Sequence, residues 1–116
     1  MTIRDVMEIV EGTVLTGEDK LDCPVDTACG SDLMSDVLAF VKDHTVLLTG
    51  LTNPHVVRTA EMLDVACIVF VRGKRPASDI IDMAIERDMC IMSTRHTLYV
   101  ACGILYSNGL PGGPSK

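Results

Sequence analysis

The 116-residue chain is 47% hydrophobic but only 3% aromatic and carries a net charge of −6, which suits one domain with a core of Val, Leu, Ile, Met and Ala. The acidic balance argues against a nucleic-acid surface, which needs clustered Lys and Arg. No apolar run approaches the ~20 residues of a bilayer span, and no basic start followed by an apolar stretch suggests a signal peptide, so the chain reads as cytoplasmic.

The amino-terminal segment predicts a helix over residues 3–10, capped by Thr2, with Ile3, Val6, Met7 and Val10 on one face. Gly12 ends it. Residues 13–17 read as a short strand, and residues 24–29 as another. Ser31 or Asp32 is placed to cap the next helix, whose stripe is Leu33, Met34, Val37, Leu38 and Val41. After Lys42, Asp43 and His44 the run Thr45-Val46-Leu47-Leu48-Thr49 is apolar without alternation, as in a parallel strand covered on both faces. Pro54 suits the first turn of the helix that follows, where Val56, Val57, Ala60 and Leu63 form the stripe.

The same pattern then recurs. Residues 66–71 and 89–92 are apolar strands. Pro76-Ala77-Ser78 opens a helix bearing Ile80, Ile81, Ala84 and Ile85, and a last helix runs from Leu98 to about Tyr106, apolar almost all round. The Gly- and Pro-rich residues 111–116 predict a flexible tail after a single domain spanning residues 1–110. Strand and helix in alternation imply βαβ units, hence an α/β fold: three layers, α/β/α, around a mostly parallel sheet.

In such sheets ligands bind beyond the carboxyl ends of the strands. Three polar loops fall there. Thr49-Gly50-Leu51-Thr52-Asn53-Pro54 can turn its N–H groups toward an anion, although Gly50 for the turn and Asn53 for the cap explain it equally well. Arg72-Gly73-Lys74-Arg75 gathers three cations in an acidic protein, and Ser93-Thr94-Arg95-His96-Thr97 adds further donors. The candidate ligand residues are Thr49, Gly50, Asn53, Arg72, Gly73, Lys74 and Thr94, taking an anion such as a nucleotide phosphate. His96 alone reads as structural or solvated.

No catalytic constellation stands out. The chain lacks a P-loop, a G-x-G-x-x-G, a nucleophile elbow and a His/Cys metal cluster, so neither an enzyme nor a cofactor is expected. The five cysteines include no C-x-x-C. Cys67 and Cys90 lie in apolar runs, and the set reads as core thiols in a reducing compartment.

Four segments, SDLMSDVLAF, LLTGLTNPHVVRTAEMLDV, CIVFVRGKRPASDIIDMAIERDMCIMST and TLYVACGILYSNGL, together resemble the DRTGG domain, a family related to the amino-terminal domain of HPr kinase/phosphorylase. The resemblance reaches to about Leu110. It implies an α/β/α regulatory or assembly module rather than a kinase, since the catalytic P-loop domain is not in this sequence. Such domains accompany CBS pairs or catalytic domains, so a partner enzyme is implied. Where relatives tend to read Thr-Gly-Gly after the strand, this chain reads Arg72-Gly73-Lys74, a change that favours an anion. Two functions are therefore expected: a module sensing a small anionic ligand, or a homo-oligomeric assembly module without ligand. A homodimer is expected in either case, with the last helix as its interface and with seven Met residues lending an adaptable surface.

Overall fold

The structure, a computed structural model, describes residues 1–41 and 44–112. Lys42 and Asp43 of the expected turn, and residues 113–116 of the expected tail, lie outside the described residues. Helices α1 (Ile3–Val10), α2 (Met34–Phe40), α3 (Pro54–Leu63), α4 (Ser78–Glu86) and α5 (Leu98–Ser107) and strands β1 (Thr13–Thr16), β2 (Thr27–Gly30), β3 (Thr45–Thr49), β4 (Cys67–Phe70) and β5 (Cys90–Ser93) follow in the order α1-β1-β2-α2-β3-α3-β4-α4-β5-α5. A single 3₁₀ turn, Glu18–Lys20, follows β1.

The sheet order is β1-β5-β4-β3-β2. Strands β2 to β5 are parallel, each beside the next in the chain, while β1 runs antiparallel to β5. Three successive crossovers thus step across the sheet in one direction, which keeps α2, α3 and α4 on one face. Leu47, Ile68, Phe70 and Ile91 point into that layer, against Val37, Val56, Ala60 and Ile80. The alternate residues Val46, Leu48, Cys67, Val69 and Met92 face α1 and α5, where they meet Ile3, Val6, Val10, Ala101 and Leu105. Every residue of β3, β4 and β5 is buried, which is why these strands show no alternation in sequence. Each fully buried Leu, Ile or Phe contributes roughly 1.5–3 kcal/mol of transfer free energy.

Helix starts follow their capping chemistry. Thr2 Oγ1 accepts from Asp5 N–H at 3.2 Å, and Asp5 Oδ2 accepts from Thr2 N–H at 2.8 Å. Asn53 Oδ1 accepts from Val56 N–H at 3.2 Å with Pro54 in the first turn. Helix α2 departs from expectation. Its cap is Leu33, which has no capping side chain, because Asp32 is turned toward β3 instead. The second strand also starts later than its pattern suggests, at Thr27, while Pro24 makes an isolated bridge to Thr2. At the far end Leu110 is buried and Pro111 C=O accepts from Ala28 N–H at 3.0 Å, so residues 110–112 run beside β2.

All five cysteines are unpaired. Cys67 and Cys90 are register neighbours on adjacent strands, and contact with Cys90, together with burial, pushes the Cys67 thiol well up. Met34, Met89 and Met92 are buried and only Met62 is widely exposed among the interior methionines, so methionine does not supply the adaptable surface its abundance suggests.

Candidate functional site

Helix α4, which follows β4, packs on one face of the sheet, and α5, which follows β5, packs on the other. The chain therefore leaves the carboxyl ends of these two neighbours in opposite directions. That divergence is where an open α/β sheet forms a crevice. A cavity of about 300 Å³ opens at this point, lined by Gly73, Arg75, Ser93, Thr94 and Arg95 and, from the end of α1 and the start of β1, by Glu11 and Thr13.

Local geometry holds its walls. Arg72 and Gly73 both take left-handed backbone, φ 60° and 70°, which folds the loop after β4 back on itself. The two loops are then stitched together: Arg72 N–H donates to His96 C=O at 2.8 Å, Gly73 N–H to Thr94 C=O at 2.7 Å, and Ser93 Oγ to Lys74 C=O at 2.8 Å. Thr94 is 2% exposed and spends its hydroxyl proton on Val10 C=O at 2.6 Å, so it anchors the loop to α1. His96 Nε2 lies 3.2 Å from Glu11 Oε1.

The cations stand clear of this stitching. Among the described residues Arg72, Lys74, Arg75 and Arg95 form no ion pair, whereas Arg4, Lys20 and Arg87 each hold a carboxylate. Glu11 is the single acid lining the cavity, and His96 already faces it. Arg75 and Arg95 thus bring unneutralised positive charge to a recess whose backbone is fixed.

The seven expected residues are divided by the structure. Gly73 and Thr94 line the cavity, and Arg72 and Lys74 sit on its rim loop. Thr49 and Gly50 form a separate corner, already filled. Asp32 Oδ1 accepts from the Thr49 hydroxyl at 2.9 Å and from Gly50 N–H at 2.7 Å. Asn53 caps α3 beside it. Sequence reasoning passed over Arg75 and Arg95 as ligand residues. Their signal was present, since each lies in one of the two loops that leave β4 and β5.

A second cavity, about 280 Å³, lies at the opposite end of the strands, with Lys20, Glu61, Arg87 and Asp88 in its wall. Its cations are neutralised: Lys20 Nζ lies 2.7 Å from Asp88 and Arg87 Nε 2.9 Å from Glu61. The described residues contain no group of three side chains suited to a metal and no helix long and apolar enough to cross a membrane.

The DRTGG domain family model matches residues 5–106. Among solved structures the chain is similar to the CBS and DRTGG domains of the regulatory region of a Clostridium perfringens pyrophosphatase, complexed with the activator diadenosine tetraphosphate. The TM-score is 0.76 at 14% identity, over 95% of this chain and 47% of that one, so the chain spans about half the length of that structure. At this identity the likeness is one of fold. No curated protein matches the chain.

Proposed function

The chain belongs to the DRTGG domain family, and from this footing we propose that it is a non-catalytic regulatory module that senses a small anionic ligand, with a nucleotide phosphate as the preferred class. The observation that carries the reading is the pair Arg75 and Arg95, unpaired among the described residues, in the cavity between the diverging ends of β4 and β5. Its volume is at the lower end of the ~300–1,000 Å³ range of ligand pockets. Two guanidinium groups give planar, multiply donating recognition of phosphate oxygens. The neighbouring structure's complex with a polyphosphate activator concerns that protein, but it makes a phosphate ligand the natural first probe here. The module's output would be read by a partner enzyme, to which an occupied or empty cavity presents a different surface charge around Arg75 and Arg95.

Titration calorimetry at low salt with ATP, ADP, AMP and inorganic phosphate tests this. Binding should be weak and should weaken further with salt, because the cavity is open to water. Arg75→Ala combined with Arg95→Ala should abolish it, and Arg72→Ala with Lys74→Ala should reduce it, both without change in melting. Silence from all four compounds with the unmodified chain refutes the ligand and leaves the assembly module as the standing function.

A further inference from the structure

Helix α5 is amphipathic in burial but not in chemistry. Ala101 and Leu105 are buried against the sheet, yet the opposite side carries Tyr99 at 88% exposure, Tyr106 at 72% and Val100 at 40%. The helix has no charged residue in a chain of net charge −6. Between the two rings, on the same i, i+4, i+7 stripe, sits Gly103, and a side chain built there would meet nothing within 4 Å. Alongside runs an open apolar groove floored by Ala28, Gly30, Cys102 and Leu110.

We infer that this face binds a second copy of the same chain, α5 crossing α5 at Gly103, with each protomer's exposed tyrosine seated in the other's groove. Knob and groove lie on one surface, so the patch is complementary to itself, which is what a two-fold contact requires. Glycine at the crossing lets the two backbones approach closely. Charge selects the same occupant: an acidic chain repels its copy over most of its surface, but not over an uncharged helix. Area agrees. The two rings together expose roughly 300 Å², at ~200 Å² for a whole tyrosine. A pair of copies thus removes ~600 Å² from the rings alone, and the groove walls add to it, which places the contact among weak interfaces of up to about 1,000 Å². The inference stands apart from the anion cavity, which α5 does not line.

The chain offers its own reporter. It has two tyrosines and no tryptophan, and both tyrosines are on this face. Sedimentation velocity from micromolar to several hundred micromolar protein should show a monomer–dimer equilibrium, with tyrosine fluorescence and near-ultraviolet dichroism changing along the same isotherm. Gly103→Arg, placed where a side chain has room, should keep the far-ultraviolet dichroism and raise the dimer dissociation constant by at least ~30-fold. Tyr99→Ala with Tyr106→Ala should do likewise. A monomer throughout the concentration range overturns the inference and leaves the face to a different protein. A dimer that Gly103→Arg leaves intact overturns it equally, by locating the contact elsewhere.

Discussion

The carboxylate of Asp32 occupies the place an external anion would take at Thr49, accepting the threonine hydroxyl at 2.9 Å and, through the same oxygen, the N–H of Gly50 at 2.7 Å. Thr49 is fully buried, while Asp32 lies at the surface. The corner after β3 therefore carries its own counter-ion. Asp32→Ala should leave these donors short of a partner and cost about 1–3 kcal/mol. It should also create a vacancy for an anion. In thermal melts the variant should gain more from added phosphate or sulfate than the parent does, and equal gains would show that the corner has no affinity for anions.

Gly17 sits at φ 88°, and a Cβ there would lie 2.5 Å from Cys90 Cα and 2.8 Å from Met89 O. Both obstacles are backbone, at the start of a central strand. Gly17→Ala should therefore cost about 2–4 kcal/mol, combining left-handed strain with displacement of β5. Urea unfolding measures it directly, and a midpoint unchanged from the parent would mean that residues 16–18 do not pack on β5 as described.

The opposite outcome is expected at Asp64. This residue ends α3 in left-handed conformation, φ 54°, with its N–H donated to Ala60 C=O and Glu61 C=O. Glycine favours that position. Asp64→Gly should raise stability by about 0.5–1 kcal/mol, visible as a higher melting temperature.

Helix α1 should respond to acid. The backbone N–H of Thr2 holds the Asp5 carboxyl below its ordinary value of 3.8. A depressed carboxyl stabilises the fold above its unfolded value, and the contribution is lost as pH falls through the folded one. The difference in urea midpoint between the parent and Asp5→Ala should thus be constant above about pH 5 and close progressively below about pH 4. A difference that persists undiminished at about pH 2 would show that the cap owes nothing to the charge.

Much of the architecture was written locally. Strands β3, β4 and β5 are buried on both faces, so their runs of Val, Leu, Ile and Met needed no knowledge of partners. The place of β1 was not legible, because Thr13–Thr16 owes its pairing to β5, far along the chain. Asp32 was read as a helix cap because it precedes an apolar stripe. Only the parallel pairing of β2 with β3 brings it beside Thr49. The cationic loops were recognised, yet which of their side chains face inward depends on the left-handed pair at residues 72 and 73 and on the stitching to residues 94 and 96. A tetrad of letters does not encode those bonds.

Consecutive strands β1 and β2 lie at opposite edges of the sheet. The connection between them passes the amino-terminal residues, with Ile3 N–H bonded to Cys23 C=O and Arg4 N–H to Leu21 C=O. Strands β2 to β5 can assemble by adding each neighbour in chain order, one helix per step. Joining Thr13 to Ser93 instead closes most of the chain into a loop, and that entropy is recovered only when the other strands are in place. Strand β1 is thus a clasp on the sheet, and loop entropy makes its pairing with β5 the step expected to come last. Until it fastens, β5 is an uncovered edge of buried-type residues, the form of strand that pairs with other molecules. In the folded domain β1 covers that edge of β5, as an edge strand of this composition requires.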